Sequence, residues 1–429
     1  MERPFKIGVA AFGLVAAGLA LAGHQPRPAA RAEQQANLVR LASISTADRR
    51  SIDYRALDER LRRLVEKPSM VGLAVGVVEN GRITFLGGYG ETLAGSGETV
   101  TPATVFRWAS VSKGVAGTMA AKLEQAGKLS MSQPIVKYAP SLKLPGGNEA
   151  RATLGDVLSH RLGLYRNAYD DKLEAGENPA TIRRMLASLA SLCAPGTCWS
   201  YQNVAFDAAS EAVVGATNRT YEEAVKGTLF RPLGMTSASV SREGLERAQS
   251  WARPHSAGGR PLEMSDAYYR VPAAGGVNSN IKDMALWMIA QMGGMPEVLG
   301  PKLLDEIHAP LVATPNELRR LRKFRERLAE PHYGYGWRSY LYGGHRIVGH
   351  RGGVNGYRSL ILFDPALKSG VVALWNSNTS QPGGLEFEVM DMLYGLPFRD
   401  WMELDTAAPG APPVAAAEEP ASSGGDARN

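Results

Sequence analysis

The segment Ser110-Val111-Ser112-Lys113 sets a hydroxyl and an amine three residues apart. At the start of a helix, positions i and i+3 share a face, so the Lys113 amine would lie beside the Ser110 hydroxyl. A serine hydroxyl is a weak nucleophile and needs a neighbouring base. Lysine can be that base where burial or a second cation lowers its pKa. A serine in a first helical turn also stands near backbone N–H groups and the positive end of the helix dipole. The pattern recurs at Ser279-Asn280-Ile281-Lys282. There Asn278 and Ser279 precede an apolar stripe of Met284, Leu286 and Trp287, and an N-cap role accounts for the serine. Capping is open to Ser110 as well, so the spacing alone does not decide its role.

A second constellation is Pro195-Gly196-Thr197-Cys198-Trp199-Ser200-Tyr201-Gln202-Asn203, a turn leading into an aromatic and then Tyr and Asn two residues apart. A tyrosinate beside a lysine ammonium can act as a general base, since each favours the other's charged form. The Asn203 amide could hold a lysine or an amide substrate. A buried tyrosine and a turn asparagine are the alternative, and Tyr165-Arg166-Asn167 repeats the spacing without the Pro-Gly lead-in. The third is Gly349-His350-Arg351-Gly352-Gly353, where His350 and Gly352 would face one side of a strand. Gly352 or Gly353 would let a substrate approach a backbone N–H, and His350 would offer a hydrogen-bonding side chain. The alternative is a strand-end histidine before a glycine turn; His332-Tyr333-Gly334 also matches, in a run that suggests packing.

The elements needed to bring these residues together can be read from periodicity. Leu57, Leu61, Leu64 and Val65 give a helix over 54–66. Val71–Val78 and Ile83–Leu86 flank Asn80-Gly81, a hairpin signal. Near the other end, Gly343-Gly344 joins a second hairpin. Tyr357–Phe363 and Val371–Trp375 read as strands, and Leu385–Tyr394 as a helix. Between them, 110–328 is mostly helical in pattern, with stripes at Val111–Leu123, Leu154–Ser159, Ala180–Leu192 and Ala285–Met292. The expected fold is α+β: one antiparallel sheet built from both chain ends and flanked by terminal helices, beside a large helical insertion. The sheet part is 51–109 and 331–403, the helical part 110–330, and the cleft between them is the expected ligand site.

The 429 residues include 44% hydrophobic and 21% charged residues, which excludes a mostly disordered chain and a polytopic membrane protein. Two cysteines exclude a disulfide-stapled scaffold and a Cys-based zinc cluster. Residues 1–22, with Arg3, Lys6, an apolar run over 7–22 and Ala20-Leu21-Ala22, read as a secretory signal peptide. Uncleaved, that run would associate the protein with a membrane. Residues 23–50 read as a linker and 404–429, rich in Ala, Pro, Gly and Ser, as a disordered tail. Export to the periplasm or medium follows, and would permit a bridge between Cys193 and Cys198; two free thiols are the alternative. The net charge of +6 is no nucleic-acid signature. Its densest run, Arg319–Arg327, carries Leu318, Leu321, Phe324 and Leu328 on one helical face, as a surface helix with a basic side would.

Taken together, the order and spacing of these motifs resemble the serine β-lactamase and D-Ala-D-Ala carboxypeptidase superfamily, nearest its class C-like branch. Val100–Lys113, the stretch through Gly127-Lys128-Leu129-Ser130, Pro195–Asn203, Pro272-Ala273-Ala274-Gly275-Gly276-Val277-Asn278-Ser279 and His350-Arg351-Gly352 carry the resemblance. It implies Ser110 as acylated nucleophile, Lys113 as its partner base, and Tyr201 as proton shuttle to the leaving group. Asn203 would position substrate or Lys113. The N–H of Ser110 and one from Gly352 or Gly353 would form the oxyanion hole, and no metal or organic cofactor would be used. His350 stands where β-lactamases of this branch usually carry Lys, and H-x-G versions resemble the family's esterases and D-amino-acid peptidases. His160-Arg161-Leu162-Gly163-Leu164 departs from His-Thr-Ser-Gly-Leu and reads as structural. The expected function is a secreted serine hydrolase acting on a small-molecule ester, amide or peptide. A true β-lactamase or D,D-carboxypeptidase, and a non-turnover penicillin-binding sensor or cell-wall scaffold, are the alternatives.

Overall fold

The hairpin signals mark real turns. Asn80 and Gly81 take φ of 51° and 75°, the left-handed pair that a two-residue turn requires, and they join β1 (Gly72–Glu79) to β2 (Arg82–Gly90). The computed structural model describes residues 52–405. The expected signal peptide and linker, and the tail beyond 405, lie outside the described residues. Leu404 and Asp405, assigned to that tail by composition, pack on the body: Leu404 is buried and Asp405 bonds to Arg60 and Arg63.

Two short strands, β3 (Phe106–Arg107) and β4 (Asn278–Ser279), pair with each other. The other strands are β5 (Val312–Ala313), β6 (Leu328–Tyr333), β7 (Arg338–Tyr342), β8 (His345–Val354), β9 (Tyr357–Asp364) and β10 (Ser369–Trp375). The main sheet has eight strands in the order β2-β1-β10-β9-β8-β7-β6-β5. Antiparallel pairing of β1 with β10 joins the two ends of the chain, with Leu73 opposite Trp375 and Val78 opposite Gly370. The expected α+β architecture is the one observed.

Strand alternation divides the core. Leu73, Val75, Val77, Val371 and Ala373 meet the helices Tyr54–Val65 and Leu385–Tyr394. Ala74, Val78, Val372 and Leu374 face the helical insertion, with Ile281 and Trp287 of the helix Ile281–Gln291. Burial on both faces explains why β1 and β10 read as nearly continuous apolar runs.

The basic run departs from its pattern. A helix over Asn316–Arg320 stops at Leu321, a 3₁₀ turn follows at Arg322–Phe324, and β6 begins at Leu328. The Phe324 ring packs tilted against the Phe387 ring, centres 4.3 Å apart, and edge-on to the Trp401 ring at 5.5 Å. That contact, with the burial of Leu328 in the sheet, overrides the helical period. The Ala180–Leu192 stripe is likewise shorter as a helix, Pro179–Met185 with one 3₁₀ turn after it, and Leu192 is exposed.

Cys193 and Cys198 form a disulfide. It closes a short loop just before Trp199, and a loop of that size is worth roughly 2 kcal/mol. Reduction should lower the urea midpoint by a corresponding amount, and thiol alkylation of the denatured, unreduced protein should add no mass. Labelling of both cysteines without reductant would refute the bridge.

Candidate active site

Ser110 sits in a 3₁₀ turn, Ala109–Val111, that runs directly into the helix Ser112–Gln125. Ala109 holds φ at 47°, left-handed for a residue with a Cβ, at a cost of about 1–2 kcal/mol. The flanking contacts hold it there. Trp108 is buried; its indole N–H donates to Ser279 Oγ at 2.9 Å, and its carbonyl accepts from Ser359 Oγ at 2.6 Å. The second S-x-x-K match therefore has another role than the expected cap. Pairing with β3 draws Asn278 and Ser279 into β4, so the N-cap falls on Asn280, whose side chain accepts from the Asp283 N–H at 2.9 Å. Ser279 supports the Ser110 turn from behind through Trp108.

Lys113 is fully buried beneath Ser110. Its Nζ lies 3.4 Å from Ser110 Oγ, 2.7 Å from Asn203 Oδ1 and 3.0 Å from the Ala274 carbonyl, one oxygen for each N–H of an ammonium. Asn203 is oriented in turn, its Nδ2 donating to Asp170 Oδ2 at 2.7 Å. Burial lifts the Asp170 carboxyl above its usual range, opposed by the Asn203 bond and the Lys113 charge. The Tyr201 ring centre lies 4.7 Å from Lys113 Nζ, 5.2 Å from the Arg166 guanidinium and 5.9 Å from that of Arg338. Three cationic side chains thus surround the Tyr201 ring.

Across the cleft, β7 pairs with β8 only up to Gly349 opposite Arg338, so His350–Val354 leaves one edge without a strand partner among the described residues. A Cβ on Gly352 would stand 2.3 Å from both Ser359 Oγ and the Trp108 carbonyl, and 3.0 Å from the Ser110 nitrogen. Glycine is what brings the β8 backbone against the Ser110 turn. At Gly353 the nearest atoms a Cβ would meet belong to the flexible Arg358 side chain, at 3.1 Å. Gly352→Ala should therefore lower kcat/KM about a hundredfold, while Gly353→Ala costs a few-fold. Equal effects would show that the close approach at Gly352 is unimportant.

From its place on the strand, His350 was expected to offer substrate a hydrogen bond. Its ring lines the cleft, but protein atoms take both nitrogens: Nδ1 donates to the Arg351 carbonyl at 2.7 Å, and Nε2 lies 3.0 Å from the Tyr333 hydroxyl. Arg351, which alternates with His350 and Gly352 along β8, turns to Glu386 on the terminal helix. Ser110, Tyr201, Asn203, Gly352 and Gly353 line the same cleft of about 510 Å³. Lys113 lies under its floor.

Four contributors are not among the expected site residues. Asp170 and the Ala274 carbonyl hold Asn203 and Lys113. Arg338 pairs with Glu317 at 3.1 Å and lies among Trp199, Tyr201 and Tyr333. Tyr333 belongs to the H-x-G match whose run suggested packing. Arg166 and Asn167, from the second Tyr-x-Asn match, line the cleft without joining the Lys113 cluster. Among the described residues no group of three His, Cys, Asp or Glu could hold a metal ion.

The β-lactamase family model matches residues 57–390, which takes in every one of these side chains. The chain belongs to the β-lactamase family. It is 28% identical over 341 residues to an unguisins hydrolase of Aspergillus campestris, covering 75% of this chain and 61% of that protein. It is 22% identical over 331 residues to protein flp of Staphylococcus aureus, covering 75% and 63%. The chain thus spans about three-fifths of the length of these curated relatives. Two solved structures share the fold. An octameric penicillin-binding protein homologue from Pyrococcus abyssi has a TM-score of 0.70 at 22% identity, covering 80% of this chain and 78% of that one. A class C β-lactamase mutant has a TM-score of 0.64 at 22% identity, covering 80% and 97%. The family and the fold of this chain agree with the resemblance stated above.

Proposed function

We propose that this β-lactamase-family chain is a serine hydrolase acting through an acyl-serine intermediate on ester, amide or D-amino-acid peptide bonds. The observation that carries the reading is Lys113 Nζ, held 3.4 Å from Ser110 Oγ in a cleft that also presents Tyr201. Ser110 Oγ attacks the substrate carbonyl carbon, and its proton passes to the Lys113–Tyr201 pair. The negative charge on the carbonyl oxygen is met by the Ser110 N–H and one N–H of Gly352 or Gly353. Collapse breaks the bond to the leaving group, which takes the proton through Tyr201. Water then attacks the acyl ester by the reverse route and frees Ser110.

His350 supports ester or peptide substrates over β-lactams, because a neutral, internally bonded imidazole supplies no cation for a substrate carboxylate. A second reading, a class C-like β-lactamase or D,D-carboxypeptidase, is favoured by Arg166 and Arg338, whose guanidinium groups bring positive charge to the Tyr201 side of the cleft. Incubation with p-nitrophenyl butyrate, nitrocefin and a fluorescent penicillin separates these readings. Ester turnover without rapid nitrocefin hydrolysis is expected. Rapid nitrocefin hydrolysis would reverse the order, and a stable penicilloyl adduct without turnover would make the chain a sensor or scaffold. Export to the periplasm or medium is also proposed; the Cys193–Cys198 bridge supports it, since oxidising compartments preserve such bonds.

A further inference from the structure

Behind the cleft runs a chain of hydrogen bonds whose proton directions are determined at both ends. The Gln202 backbone N–H can only donate, and it points to His160 Nδ1 at 3.2 Å. His160, when neutral, therefore carries its proton on Nε2, which lies 3.1 Å from the Tyr333 oxygen. At the other end the Arg351 carbonyl can only accept, and it lies 2.7 Å from His350 Nδ1. His350, when neutral, therefore leaves Nε2 unprotonated, 3.0 Å from the same Tyr333 oxygen. The two ends are independent, and they require the same thing of Tyr333: it accepts from His160 and donates to His350. One arrangement of protons satisfies the whole chain with both imidazoles neutral.

The surroundings favour that neutrality. His160, Tyr333 and His350 are all buried. His160 is faced by Lys113, Arg166 and Arg338, and His350 by Lys113 and Arg338, so a further positive charge would meet cations already present. Burial first, and then those charges, hold both imidazoles well below the usual histidine range. Burial likewise holds the Tyr333 phenol well above its usual value. The chain also spans the two halves of the site. Gln202 sits between Tyr201 and Asn203, and the His160 ring lies 4.4 Å from the Tyr201 ring, while His350 belongs to the β8 edge.

We propose that Tyr333 is a positioning residue that ties the Tyr201–Asn203 segment to the β8 edge, and that it makes His350 a neutral wall of the cleft rather than a group that binds substrate. Its effect on turnover rests on the acyl-serine reading above. Its effect on the imidazoles does not.

Nitrogen NMR of the labelled full-length protein tests the second part directly. His160 is expected as the Nε2–H tautomer and His350 as the Nδ1–H tautomer, both unchanged from pH 7.5 to 5.5. An Nε2–H tautomer at His350, or its titration near pH ~6.5 as for a free imidazole, would overturn the assignment. Tyr333→Phe tests the first part, since it removes the shared hydroxyl and keeps the ring. With a neutral ester, kcat should fall about ten- to a hundredfold with KM within about threefold. The acid limb of the pH–rate profile should move to higher pH, because His350 loses its donor and can take up a proton. A KM increase at parental kcat would mean that the site binds substrate through His350. A parental kcat and pH profile would show that Tyr333 merely packs. Where Tyr333→Phe fails to fold, the tautomers of the parent decide.

Discussion

Ser110→Ala is expected to reduce kcat for p-nitrophenyl butyrate by about 10⁴- to 10⁶-fold, the scale seen when the nucleophile of a covalent mechanism is removed. The thermal midpoint should stay within about 2 °C of the parent, because the change deletes one oxygen of a half-buried residue. The fluorescent-penicillin adduct, if the parent forms one, should vanish in parallel. The expectation is sharp because the competing explanation for Ser110 is structural. The turn that holds it makes no side-chain cap bond, so Ser110 has no capping duty that would tie it to stability. Retention of parental turnover would remove Ser110, and with it the whole acyl-serine scheme. A loss of turnover accompanied by a large fall in midpoint would return the serine to a structural role.

The greatest loss of stability is expected at the opposite face of the sheet. Arg60, on the helix Tyr54–Val65, is 9% exposed in its side chain and donates to three carboxylates. Its Nε and Nη2 reach Glu388 at 2.6 and 2.9 Å, Nη2 also reaches Asp400 at 2.6 Å, and Nη1 reaches Asp405 at 2.8 Å. Burial keeps the Glu388 carboxyl above its usual range even with Arg60 bonded to it. Arg60→Ala would leave Glu388 buried beside Asp400 without a cation. Removing one partner of such a pair costs about 3–5 kcal/mol, or about 4–7 °C in midpoint for a chain of this size. Replacing both Arg60 and Glu388 with leucine should recover much of that loss, since it is the orphaned charge that is costly. Unchanged unfolding in Arg60→Ala would mean that the cluster is solvated and adds nothing to the packing of the two terminal helices on the sheet.

Features written in neighbouring residues are legible in the chain itself. Asn80-Gly81 and Gly343-Gly344 adopt positive φ at both turn positions, and their residue types alone mark the hairpins. Ser110 and Lys113 are one helical turn apart, and their proximity follows from helical rise. The apolar runs of β1 and β10 announce a sheet buried on both faces. Local patterning also misleads, where tertiary contacts outweigh it. The basic run has a helical period, and packing of Phe324 on Phe387 breaks it. Ser279 stands where a cap belongs, and pairing with β3 moves the cap to Asn280.

Which distant groups complete the site is settled by folding alone. Asp170 is 33 positions from the Asn203 it orients, and Tyr333 is 173 positions from His160. His350 shows the difference most clearly. Its place on the strand follows from the sequence. Its role does not, because an imidazole is donor or acceptor according to what meets each nitrogen, and those partners come from β6 and from its own strand's backbone. Periodicity fixes the face on which a side chain lies, since that depends on the residue's own backbone. Protonation and hydrogen bonding depend on the groups that folding brings alongside, and no spacing along the chain encodes them.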